Sequence, residues 1–240
     1  MRFFTFPMVQ KRLNELFWLV AFTVTATLVL AAPTCLAAQQ CMAMGSGHNM
    51  ADMQPLPPPE QLPVPQRMTG IGNSHIGVKT TAEAQAWFDQ GLSLLHDFWD
   101  YESAKAFEQA IRVDPKCAMC WWGLAEAEGL RGGDTTVYGK RALAEAVRLK
   151  NHAGSPEKLY IDAAQAESEA KKDDKTAEIS ILRKLVKKAP KDIQARIFLA
   201  EAIADGYDEM GEPKKGQKER IAILEGLLRE APNDSAANHY

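Results

Sequence analysis

The chain has 240 residues, 46% of them hydrophobic and 25% charged, with a formal net charge of −3. Those proportions exclude a disordered, collagen-like or disulfide-dense chain and suit one or two globular domains. The slightly acidic balance also excludes the broad electrostatic attraction that non-specific nucleic-acid binding depends on, so no nucleic-acid partner is expected.

Arg2, Lys11 and Arg12 stand ahead of an apolar run from Leu16 to Ala32, and small residues follow in Cys35-Leu36-Ala37-Ala38. A basic start, an apolar core and a small-residue exit are the three parts of a secretory signal peptide. The pattern predicts a signal segment over 1–38, cleaved after Ala37 or Ala38. The competing reading is a retained anchor, because a run of this length reaches the lower limit for spanning a bilayer. Neither Cys35 nor Cys41 has the leucine and small-residue lead-in of a lipoprotein. Cleavage leaves no stable membrane span and places the protein in a periplasmic or secreted setting. There cysteines can pair, and Cys41, Cys117 and Cys120 are the three that remain.

Residues 39–78 read as a disordered Met- and Pro-rich linker. Six of the thirteen prolines lie between Pro55 and Pro65, a density that favours extended polyproline II conformation. Cys41, Met42, Met44, His48, Met50 and Met53 offer soft donors suited to Cu(I). A copper-handling tether is therefore the alternative function, against a spacer without chemistry. No fixed ligand spacing supports a metal site, and no cofactor is expected.

From Thr80 the pattern becomes helical. Trp87, Gly91, Leu94, Leu95 and Phe98 recur at helical steps, and a second helix from about Glu102 carries Ala106, Phe107, Ala110 and Ile111 on one face. Asp114-Pro115 ends it, since proline disfavours helix in the residue before it. Further on, Gly132-Gly133-Asp134 interrupts a helix that resumes from Lys140 to Leu149. Ser155 reads as the N-cap of the next helix, and Pro190 and Pro232 close later ones.

Counting Ala84 as position one puts Trp87 at four, Gly91 at eight, Phe107 at twenty-four, Ala110 at twenty-seven and Pro115 at thirty-two. This resembles a tetratricopeptide repeat, a helix–turn–helix unit of about 34 residues. Trp121 and Ala125 take positions four and eight of a second repeat. The run Asp114-Pro115-Lys116-Cys117-Ala118-Met119-Cys120-Trp121-Trp122-Gly123 is similar to large exported bacterial proteins of this type, as are Pro190-Lys191-Asp192 and the terminal Ala237-Asn238-His239-Tyr240. The resemblance covers about residues 70–240. It implies an all-α, right-handed superhelical solenoid over 79–240, a scaffold of three to five hairpins, and a chain that is the front end of a longer solenoid.

The family's concave groove is lined by fixed positions of the first helix in each repeat. The resemblance places Gln85, Phe88, Leu92, Leu95 and His96 there in repeat one, and Met119, Trp122, Glu126, Gly129 and Leu130 in repeat two. The lysine and asparagine that clamp an acidic C-terminal tail in some members are replaced by Phe88 and Leu92, and by Trp122 and Glu126. An apolar peptide or helix is thus the expected protein partner, with Gln85, His96 and Glu126 fixing its orientation.

Other constellations lead to no reaction. Cys117 and Cys120 form a CxxC at a helix start, readable as a disulfide or as a redox pair, without the strand–helix setting of a thioredoxin-like site. The loop from Gly133 to Lys140 has the wrong spacing for a phosphate-binding loop and lacks its hydroxyl. The histidines are scattered, and no nucleophile has a base beside it. The expectation is a non-enzymatic binding protein with no catalytic residues.

Overall fold

The computed structural model describes residues 56–171 and 174–240. Nine α-helices occur among them: α1 (Ala82–His96), α2 (Asp100–Val113), α3 (Ala118–Arg131), α4 (Thr136–Leu149), α5 (Ser155–Glu169), α6 (Thr176–Lys188), α7 (Ile193–Ile203), α8 (Lys215–Glu230) and α9 (Ser235–His239). No strand is found in the described residues, where a lone bridge joins Tyr207 to Pro213. The signal segment and residues 39–55, with the soft copper donors, lie outside the described residues.

Local chemistry sets the helix starts. The side chains of Thr81, Asp192 and Asp234 accept hydrogen bonds from the backbone N–H of Ala84, Ala195 and Ala237, each two or three residues into its helix. The cap of α5 falls one residue earlier than Ser155. Glu157 folds back so that its Oε1 accepts from the Gly154 N–H at 2.9 Å, and from the Lys79 N–H at 3.2 Å. Gly132 and Gly133 both take positive φ between α3 and α4, as the break in the pattern there requires.

Successive helices pack as neighbours, and α3 also touches α1 and α5. The nine helices thus pack in adjacent pairs. Helices α1, α3, α5, α7 and α9 begin at residues 82, 118, 155, 193 and 235, in steps of 36, 37, 38 and 42. These steps exceed 34 and lengthen along the chain, which is why Pro190 and Pro232 fall out of register with Pro115.

Phe107 of α2 is the pin of the first three helices. A Cβ on Gly91 of α1 would meet its ring at 3.0 Å, and one on Gly123 of α3 would meet it at 2.2 Å. The two glycines let both helix backbones close over one ring, and Phe107 is fully buried. A second, smaller core unites α7, α8 and α9 through Ile197, Ala200, Leu224, Leu227, Ala236 and Ala237.

Residues 56–78, expected as part of a disordered linker, instead lie pinned along the helices. Leu62 and Ile76 are buried. Arg112 of α2 donates to the carbonyls of Glu60 and Leu62. Gln90 of α1 bridges Gln66 and Met68, and Gln85 joins Ile76 and Val78. Proline keeps this stretch extended, and the helices satisfy backbone groups that would otherwise face water. The folded unit thus begins well before Thr80.

Candidate functional site

The structure gathers the expected groove residues, but mostly as core. Phe88, Leu92, Leu95, His96, Met119 and Trp122 are all buried, Trp122 at 2% exposure. Gln85 is half-buried and hydrogen-bonded to Asp89 as well as to the segment 76–78. What covers these residues is the chain's own later helices. Trp122 packs its ring against Tyr160 of α5 at 5.3 Å and Phe198 of α7 at 5.4 Å, and Phe88 lies 6.4 Å from it on the α1 side. Phe198 reaches on to His96 at 5.5 Å. The expectation of an apolar groove open along Phe88, Leu92 and Trp122 is corrected accordingly: α7 and α9 fold across it.

His96 holds that closure. Its Nε2 donates to Gln194 Oε1 of α7 at 2.6 Å, and its Nδ1 accepts from the Tyr240 hydroxyl at 3.3 Å. Burial drives its pKa down to about 4, outweighing the Gln194 hydrogen bond and the nearby Asp234 and Asp97 that favour the charged form. The imidazole is therefore neutral at pH 7, and its role is structural. Tyr160 is likewise spent internally, donating its hydroxyl proton to Asp192 at 2.9 Å.

An accessible space remains farther along α3. A cleft of about 370 Å³ is bounded by Glu126, Gly129 and Leu130 of α3, by Gly139, Lys140 and Leu143 of α4, and by Ala164, Glu167 and Ser168 of α5. Three of the residues assigned to the repeat-two groove line it, and Leu130 is 52% exposed. Small side chains create the space. A Cβ on Gly129 would meet nothing within 4 Å, whereas one on Gly139 of α4 would stand 3.3 Å from the Ala125 carbonyl oxygen.

Behind the cleft, sharing Glu126, Ala164 and Glu167 with it, is a narrow recess of about 30 Å³. Trp122, Tyr160, Phe198 and Leu182 wall it, and Glu126, Glu167 and Glu178 supply its polar lining. Burial raises the Glu126 pKa to about 8, the Glu167 and Glu178 charges add to the rise, and a Trp122 hydrogen bond opposes it. Burial and Glu167 similarly raise Glu178 to about 7, against Lys175. The Glu178 Oε2 is buried and has no hydrogen-bond partner. Chemically, the recess offers carboxyl oxygens to a donor entering from the cleft.

Reading Glu126 as a lone polar groove residue misses its two companions. Glu167 and Glu178 stand 41 and 52 positions later, and only the packing of α5 and α6 onto α3 unites them. The turn after α1 is a second surface feature that periodicity hides. Phe98 was expected on the helix face, yet the helix stops at His96, and Phe98 takes φ +57 with 54% exposure. Trp99 and Tyr101 are exposed beside it.

Cys117 and Cys120 are joined by a disulfide, and both are buried. The Cys117 sulfur accepts from the Cys120 N–H at 3.1 Å, so the pair also caps α3. Among the described residues no group of three His, Cys, Asp or Glu side chains is arranged to hold a metal ion. No helix among them is long and apolar enough to cross a membrane. In comparisons with protein families, with curated proteins and with solved structures, no match to this chain is found.

Proposed function

We propose that the chain is an exported helical scaffold of tetratricopeptide type that binds a protein or peptide partner, with the α3–α4–α5 cleft as the contact surface. The observation that carries this reading is the cleft itself, open, bordered by an exposed Leu130 and floored by glycine and alanine. Small-residue floors admit a chain or side chain close to helix backbone, and an exposed aliphatic rim offers apolar area to bury. Glu126, Glu167 and Lys140 give the rim both signs of charge for orienting a polar partner. The paired-helix packing supports the repeat assignment, and the disulfide is consistent with the oxidising compartment that the leader pattern implies.

Selection of binders from a displayed peptide library on the full chain tests the reading. Gly129→Trp puts an indole into the cleft from a position where an added Cβ meets nothing within 4 Å, and circular dichroism checks that the variant stays folded. Selected peptides should bind that variant at least about tenfold more weakly, and should bind the distant exposed-site variant Tyr207→Ala unchanged. Equal binding to the Gly129 variant would remove the cleft from the account.

A further inference from the structure

We propose that a second cavity, between the pinned segment and the starts of α5, α7 and α9, binds a free α-amino acid with an aliphatic side chain. The site is separate from the α3–α4–α5 cleft and goes beyond partner binding.

The cavity measures about 420 Å³, within the range of small-ligand pockets. Three of its lining side chains are polar and buried: Gln194 at 1%, Asp234 at 5% and Glu157 at 7% exposure. Each is fixed through one atom and keeps another unused. Glu157 Oε1 accepts from the N–H groups of Gly154 and Lys79, Asp234 Oδ1 accepts from that of Ala237, and Gln194 Oε1 accepts from His96. Among the described residues nothing pairs with Glu157 Oε2, Asp234 Oδ2 or Gln194 Nε2. None of these three atoms is sealed within the packing, so the cavity is where they meet solvent. Asp192, also on the wall, has both oxygens occupied, by the Ala195 N–H and the Tyr160 hydroxyl.

The unused groups define the ligand. Two carboxylate oxygens call for a cation that donates several hydrogen bonds, and an ammonium group does so. Gln194 Nε2 and the exposed Lys191 ammonium supply donors for a carboxylate. Ile76, Pro156, Ala189 and Ile193 provide an apolar wall for an aliphatic group. An aliphatic α-amino acid carries all three features on one small molecule. The wall is also held in place without a ligand: Asn73 exchanges hydrogen bonds with Ser235, and His75 Nδ1 bonds to Asp89 at 2.9 Å. Such preorganisation lowers the ordering cost of binding.

Titration of the full, isotope-labelled chain with L-leucine tests the site by nuclear magnetic resonance. The Gln194 side-chain amide and the Gly77 backbone amide should shift saturably at millimolar concentration. N-acetyl-L-leucine lacks the ammonium and isopentylamine lacks the carboxylate, and each should bind at least about tenfold more weakly. Glu157→Gln keeps an acceptor for Gly154 and Lys79 while replacing the unused oxygen by a donor, and should weaken L-leucine binding by at least about tenfold. Should that variant not fold, Lys191→Ala changes an exposed side chain and should weaken binding about threefold. Absence of a saturable shift with L-leucine overturns the assignment. So does equal binding of the three probes, or binding unchanged in the folded variants.

Discussion

A non-glycine residue with positive φ concentrates backbone strain at one place, and here it is Phe98. The Trp99 N–H bonds to the Leu94 carbonyl and the Phe98 N–H to the Leu95 carbonyl, the paired bonds of a Schellman ending, with Phe98 where glycine is usual. Its exposed ring is turned toward His239 and Tyr240, at 5.0 and 6.0 Å. Two truncations separate backbone from ring. Phe98→Gly and Phe98→Ala both lose the aromatic contacts, but only alanine keeps the left-handed penalty. The glycine variant should be the more stable by about 1 kcal/mol in urea unfolding, and equal stabilities would show that the turn carries no strain. The same scale shows burial overruling a partner. Arg131 pairs with buried Glu128 at 2.6 Å, yet burial outweighs that pairing and leaves the carboxyl pKa raised.

At the scale of elements, the helices were legible because their apolar residues recur at helical steps and their ends carry Asp-Pro, Gly-Gly or capping residues. Boundaries were read less well: α2 begins at Asp100 and not Glu102, and α4 at Thr136 and not Lys140. Short polar turns at helix ends carry no periodicity, so the pattern cannot see them. The Gly91–Phe107 contact was legible from the repeat positions, whereas Gly123 was not singled out although it packs tighter. That packing predicts a sign. Alanine ordinarily favours a helix over glycine by about 1 kcal/mol. At Gly123 the added methyl would stand 2.2 Å from a ring fixed between two helices. Gly123→Ala should therefore destabilise by about 1–3 kcal/mol in thermal or chemical unfolding, through overpacking. A stabilised variant would mean that Phe107 is free to move aside.

The whole molecule differs most from what repeats alone suggest. The resemblance to a repeat places Phe88, Leu92, His96, Met119 and Trp122 on one side, and all five are buried. It cannot tell whether that side stays open, because openness depends on contacts between helices far apart in sequence. His96 and Gln194 are 98 residues apart, and Asn73 and Ser235, which exchange hydrogen bonds at 3.0 and 3.1 Å, are 162 apart. Such pairings leave no local signature. The pinned stretch 56–78 was hidden for the same reason, since its prolines mark an extended chain whether or not helices flank it. The accessible cleft that we propose for a partner is consequently smaller than the repeat pattern implies, and lies at one end of α3.

That placement is the central claim, and an exchange footprint of a library-selected peptide on the full chain tests it most directly. Bound peptide should slow exchange in the second half of α3, from Glu126 to Arg131, and in α4 and α5, leaving α1 and the Phe98–Tyr101 turn unchanged. Protection centred on that aromatic turn, or on α1, would contradict the account.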